Sequence, residues 1–254
     1  MILQKNEHLN FIPKRIVSLV PSQTELLYSL GLEEETVGIT KFCVHPKEWF
    51  RSKTRIGGTK TLNIAAIKKL QPDLIIANKE ENVKEQVEEL ATDHTILLTD
   101  VNTVDEALEM ICNIGQLTGK QKDAEELTAA IKKEFSTIVR PKQPIPTAYL
   151  IWNKPYMTVG GDTFINDMLT HAGLQNIFSN EKRYPEITVS QLRTKNCELV
   201  LLSSEPYPFK QKHIDELQEQ LPGMKIMLVD GEMFSWYGSR MLKAVAYLND
   251  LKIR

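Results

Sequence analysis

The chain has 254 residues, 42% apolar and 25% charged, with a formal net charge of −2; this suits a globular protein of one large domain or two smaller ones. The near-neutral balance and a pI of about 6.3 provide no basic footprint for nucleic acid. Three cysteines, Cys43, Cys112 and Cys197, lack CxxC spacing, which argues against a disulfide framework or zinc cluster and for reduced, mostly structural thiols.

The opening MILQKNEHLN lacks the basic start and apolar run of a secretory signal. No apolar stretch approaches the roughly 18–20 residues of a membrane span. The sequence as written is expected to be cytoplasmic, or periplasmic or cell-surface if a leader was removed. In chain order, Arg15–Val20 reads as a strand ending at Pro21. Ser22 and Glu25 have capping-box spacing before a helix carrying Leu26, Leu27 and Leu30, which Gly31 closes. Val37–Thr40 is a strand, and Gly57-Gly58 shapes a loop. Asn63 can cap a helix with Ile64, Ile67 and Leu70, stopped by Pro72. Asp73–Ala77 and Thr95–Thr99 are buried strands flanking a helical stripe at Val83, Val87 and Leu90. Thr103 and Glu106 form a second capping-box pattern, opening a helix.

Residues 120–140 have helical spacing at Ala124, Leu127, Ile131, Phe135 and Ile138, with Pro141, Pro144 and Pro146 behind them. This predicts a helix of about 30 Å at 1.5 Å per residue, read as a connector; an ordinary surface helix is the alternative. A second α/β run follows: strands at Thr147–Trp152, Glu198–Ser203 and Lys225–Val229, and helices at Phe164–Ala172, Ile214–Leu221 and Gly238–Leu251. The expected organisation is an N-terminal lobe 1–119, a connecting helix and proline-rich joint 120–144, and a C-terminal lobe 145–254, both lobes with parallel sheets. A faint echo links the halves, DLIIANKE at 73–80 and ELVLLSSE at 198–205.

No phosphate loop, dinucleotide fingerprint, nucleophile elbow or HExxH zinc motif is present. The five histidines, His8, His45, His94, His171 and His213, are too far apart in sequence for a local metal site. His45 follows a strand, where α/β proteins bind ligands; it is read either as a ligand contact or as a loop histidine bonded to its own backbone. Aromatics fall in loop-like segments: Phe42 and Trp49, Trp152 and Tyr156, Tyr184, Tyr207 and Phe209. They suit a pocket for a planar ligand, or plug sheet edges. The cluster Met233–Arg240, with Phe234, Trp236 and Tyr237, reads as an exposed recognition surface.

The order RIVSLVPSQTELLYSLGL, VGIT, IGGTKTLNIAAIKKLQPDLIIA, a long helix, PYMTVGGDTFINDMLTHAGLQNIF, RYPEITVSQL and a last strand–aromatic–helix segment resembles the class III substrate-binding proteins of ABC importers. The resemblance covers nearly the whole chain. It implies two α/β lobes on one rigid helix, a ligand cleft between them, a corrinoid, haem or ferric chelate as ligand, no intrinsic cofactor, no catalysis and a monomer. It places ligand contacts at Pro21 and Ser22, at Phe42 and His45, and at Trp152. Further contacts fall at Tyr184 and Pro185, and at Phe234, Trp236, Tyr237 and Arg240. His45 would touch a metal held in the ligand. An ABC permease is the implied partner, but Ala65 and Ser190 stand where acidic docking residues are expected; Glu80, Glu81 and Glu186 are nearby alternatives. A cytosolic relative that stores, senses or hands on such a ligand is a second reading. An enzyme is a third, with only Asp162 and Asp230 as loose candidates.

Overall fold

Runs that are apolar on both faces need cover on both faces, and parallel strands flanked by helices provide it. The computed structural model describes all residues except 4–6, 8, 252 and 254; His8 therefore lies outside the described residues. The chain divides into two units, one comprising 1–101, 105–132 and 236–241, the other 102–104, 133–235 and 242–254.

The first unit contains, in order, β1 (Ile2–Leu3), β2 (Ile16–Ser18), α1 (Pro21–Ser29), β3 (Thr36–Ile39), α2 (Lys47–Ser52), β4 (Thr54–Arg55), α3 (Ile64–Lys69), β5 (Leu74–Asn78), α4 (Lys84–Ala91) and β6 (Ile96–Thr99). Most of two longer helices follows, α5 (Val104–Leu117) and α6 (Gln121–Phe135). The six strands form one parallel sheet in the order β1-β6-β5-β2-β3-β4. All five residues of β5 are buried, and Val17, Ile56, Ile67, Ile75, Val87 and Leu90 belong to the same core.

The second unit contains β7 (Ile145–Leu150), β8 (Tyr156–Met157), α7 (Phe164–His171), β9 (Leu174–Asn176), β10 (Glu186–Ile187), α8 (Val189–Thr194), β11 (Leu199–Ser203), α9 (Gln211–Gln220), β12 (Lys225–Val229), α10 (Glu232–Ser235) and most of α11 (Met241–Asp250). Its sheet is parallel, in the order β12-β11-β7-β9, and β8 pairs with β10 in a separate antiparallel ribbon. The core packs Leu150, Phe178, Val200, Leu202 and Leu217.

The two sheets repeat one permutation. β6-β5-β2-β3 in the first corresponds to β12-β11-β7-β9 in the second. In each, the chain leaves the first of these strands toward one edge and later returns on its other side. The reversal falls between β2 and β5, and between β7 and β11. Such a switch point opens a crevice at the carboxyl ends of the strands. The sequence echo lies on the matching strands β5 and β11. Their last residues also do matching work: Asn78 Oδ1 accepts from the Glu80 N–H at 2.8 Å, and Ser203 Oγ from the Glu205 N–H at 3.2 Å.

Several local expectations change. Ser22 is no cap: Pro21 holds the first helical position behind the N-cap Val20, and no side chain caps α1. Pro fits there because its missing N–H has no helical partner to lose. Asn63 does cap α3, accepting from Ala66 N. The mid-chain helix is shorter than expected, about 22 Å over 15 residues. It stops at Phe135 because Ser136 and Thr137 turn their hydroxyls back onto the Lys133 and Glu134 carbonyls. The last helix starts at Met241 rather than Gly238.

Within the first unit, α5 and α6 meet at Gly115, where an added Cβ would overlap the Ala124 methyl and crowd the Lys120 carbonyl. Helix propensity alone favours alanine over glycine by about 1 kcal/mol, whereas overpacking costs about 1–3 kcal/mol. Gly115→Ala is therefore expected to lower the urea midpoint; a raised midpoint would show that the helix contact does not govern this position.

Candidate ligand-binding site

The carboxyl ends of β2, β3 and β5 carry the polar and aromatic residues of the first unit. A buried hydrogen-bond network builds this edge. Gln23 Nε2 donates to Thr99 Oγ1 at 2.6 Å, Asn78 Nδ2 to the same oxygen at 3.1 Å, and Asn82 Nδ2 to the carbonyls of Leu19 and Thr59. Asn78 Oδ1 accepts from Glu80 and Glu81 N–H groups, so both acids stand at the switch point, half-buried.

Residues 236–241 belong to this unit and pack against α1. Arg240 Nε donates to Glu25 Oε2 at 2.7 Å, with side chains 5% and 9% exposed. Glu25, expected as a reciprocal cap, is thus half of a buried ion pair. The Arg240 guanidinium lies 4.9 Å from the Trp236 ring centroid, and His45 meets the same ring edge-on at 5.6 Å. Gly238 adopts φ +105, and a Cβ added there would meet the Leu26 side chain and the Ser22 carbonyl at ordinary contact distance. Tyr237 is buried; burial pushes its phenol up and the Glu81 charge pushes it further, while hydrogen bonding with Gln23 and Ser22 opposes them. Ser22, His45, Trp236, Tyr237 and Arg240 therefore share one neighbourhood. Phe42 stands on the same loop as His45, exposed, with Lys41 over its ring at 5.1 Å, and Pro21 is half-buried at the start of α1.

In the second unit Trp152 and Asn153 follow β7, and Glu205 and Tyr207 follow β11. Trp152 is 41% exposed and meets Tyr207 edge-on at 5.7 Å. Met157 bridges Trp152 and pairs with Glu186 in the ribbon, which puts the half-buried Tyr184 and Pro185 on the adjoining loop. Phe234 goes elsewhere: it is fully buried against Tyr149 and Tyr247. The segment 233–240 is thus largely internal, contrary to the expected exposed surface. Trp49 also departs from its loop reading, since it is buried in α2 against Tyr28. Sequence reasoning left Asn153, Gln23 and Glu205 out of the site; the loop aromatic Tyr207 and the echo at 73–80 and 198–205 were the signals pointing to the second strand end.

The thiols and acids here are committed to structure. Cys43 is raised by burial, against hydrogen bonds from Thr24 and Thr40, and Cys197 is pushed up to about 11 by burial. Asp162 Oδ1 accepts from Arg183 N and Asp230 Oδ1 from Glu232 N. Among the described residues, no three His, Cys, Asp or Glu side chains gather as a metal site, and no helix is long and apolar enough to cross a membrane.

Comparison with known proteins gives these features a family. The periplasmic binding protein profile matches residues 16–225. The chain belongs to the periplasmic binding protein family. The chain is 29% identical over 187 residues to an uncharacterized ABC transporter substrate-binding lipoprotein, YvrC, of Bacillus subtilis, covering 69% of the chain and 59% of the lipoprotein. It is 27% identical over 199 residues to the vitamin B12-binding protein of Vibrio campbellii, covering 75% and 70%. Its fold matches a possible iron-binding, periplasmic solute-binding protein of Staphylococcus epidermidis with a TM-score of 0.80 at 25% identity, over 96% and 100% of the chains. The haem-binding protein HutB of Vibrio cholerae has the same fold, with a TM-score of 0.80 at 19% identity over 94% and 99%.

Removing one partner of the Glu25–Arg240 pair strands the other charge. Glu25→Ala or Arg240→Ala should cost about 3–5 kcal/mol in denaturant unfolding, and Glu25→Leu with Arg240→Met should recover much of it; a double variant as weak as the singles would contradict the pair's role. Tyr149 and Tyr237 are both raised by burial above the ordinary phenol value of 10.0. The folded state keeps protons that the unfolded state releases above about pH 10, so their contribution is present below pH 10 and declines above it. Tyr149→Phe and Tyr237→Phe should each flatten the alkaline fall in unfolding midpoint, and an unchanged slope would refute the assignment.

Proposed function

We propose that this protein receives a corrinoid, haem or ferric chelate and serves an ABC importer as its ligand receptor, without catalysing a reaction. The observation that carries the reading is the placement of His45 after β3 in one unit and of the exposed Trp152 after β7 in the other, each at the carboxyl end of a parallel strand, with Trp236 packed against His45. Flat rings and a histidine suit a planar, metal-bearing ligand. Relatives described as binding vitamin B12 and haem support that class. His45 is proposed to touch the metal held by the ligand, with Phe42, Tyr184 and Pro185 as further contacts and residues 120–144 as the connector between lobes. The binding role without catalysis is supported by thiols raised through burial and by Asp162 and Asp230 spent on backbone N–H groups.

One observation favours a second reading, a carrier that works apart from an importer. Ala65 and Ser190, both exposed, occupy the second positions of the equivalent short helices α3 and α8. Neutral residues there offer no charge to a permease arginine.

A ligand that binds only the folded protein raises its melting temperature. Haemin, cyanocobalamin or a ferric hydroxamate should raise it, and His45→Ala should reduce the rise and alter the absorption spectrum of the bound ligand. No rise with any of the three would overturn the proposal. An unchanged spectrum and affinity in His45→Ala would remove the metal contact alone.

A further inference from the structure

The switch point of the second unit holds a polar pair whose hydrogen bonding is incomplete. Lys210 N donates to His213 Nδ1 at 2.8 Å. Because Nδ1 accepts a backbone N–H, the ring proton sits on Nε2, which lies 3.1 Å from the Tyr207 hydroxyl and donates to it. Asn153 Nδ2 approaches the same oxygen at 3.4 Å. The phenol oxygen thus receives two donors, and its own hydrogen remains to be given. Asn153 is 8% exposed, and its Oδ1 is buried without a partner. Turning the amide over would let Oδ1 take the phenol hydrogen but would strand the NH2 group instead. In the first orientation the phenol hydrogen is unmatched, in the second the amide hydrogens are, so each leaves a donor for an acceptor beyond this pair. Buried polar groups left so are uncommon and call for a partner.

The location points to what that partner is. Asn153 follows β7 and Tyr207 follows β11, the two strands that flank the switch point. The exposed Trp152 ring adjoins them, and Tyr207 is packed against Phe209 and His213 at 4.9 and 5.4 Å. A flat surface and a held hydrogen-bond donor therefore stand side by side on a rigid base.

We propose that Asn153 and Tyr207 form a specificity subsite for an acceptor oxygen on the rim of a flat ligand that lies against Trp152. This rests on the ligand-binding reading above and adds the chemistry of the ligand's edge. Rim oxygens could be carboxylates, as in haemin, or carboxamides, as in cyanocobalamin, so each is titrated separately.

The test uses the full chain, with tryptophan fluorescence following binding of haemin and of cyanocobalamin. Tyr207→Phe removes the donor, and Asn153→Leu replaces the amide with an apolar group of similar size. For whichever probe the wild type binds, each variant should bind about three- to tenfold more weakly, the range one neutral hydrogen bond spans. Asn153→Leu should at the same time keep or raise the melting temperature of the ligand-free protein, because it removes a buried unpartnered group. Tyr207→Phe keeps the ring packing and serves as the measure should Asn153→Leu fail to fold. Wild-type affinity in both variants would overturn the subsite and leave the binding reading standing. No binding of either probe by the wild type would overturn the subsite as stated, and the ferric hydroxamate arm of the melting experiment then decides the wider reading.

Discussion

Glu25 and Arg240 lie 215 residues apart in sequence and 2.7 Å apart in space, both almost wholly buried. Charges taken out of water are tolerated only when paired with good geometry, so this contact fixes where residues 236–241 rejoin the first unit. Much hangs from that anchor. Arg240 lies over Trp236, Trp236 meets His45, and Gly238 supplies the positive φ of +105 that turns the segment beside α1. The Trp236–His45 contact and the hydrogen bonding of Tyr237 with Gln23 and Ser22 add to the hold on the aromatic segment. A buried ion pair adds less to net stability than an apolar contact of equal volume; its value here lies in specifying one register for a segment that arrives from the other unit.

The second constraint is topological. Two sheets with one permutation produce two switch points, each with a short polar turn after its central strand. The site residues follow from this layout rather than from a catalytic motif. Strand ends supply loops that the sheet holds firmly, and firm loops can present rings and polar groups without ordering them again on binding.

Much of the fold was legible in the sequence because its signals were local. DLIIA and ELVLLS are buried runs bounded by turns, and Asn63 caps the helix it precedes. Local signals also misled. Ser22 and Glu25 have capping-box spacing, yet Pro21 starts the helix and the carboxylate turns to Arg240. The spacing of residues 120–140 continues past Phe135, but two hydroxyls end the helix. The Phe234 ring looked exposed because neighbouring glycine and serine read as loop, while its burial depends on Tyr149 and Tyr247, far away in sequence. Two-residue strands such as β1, β4 and β8 carry too little pattern to be seen. The His45–Trp236 contact and the Asn153–Tyr207 pair join distant segments, and spacing along the chain contains no trace of either.

Native mass spectrometry directly measures whether a metal-bearing planar complex or ferric chelate binds this protein reversibly at one site. After incubation with haemin, cyanocobalamin or a ferric hydroxamate, the 29.0 kDa chain should carry one ligand mass, saturating at one per chain and displaced by excess of the same compound. Unliganded protein with all three, or adducts that increase without saturation, would contradict the account.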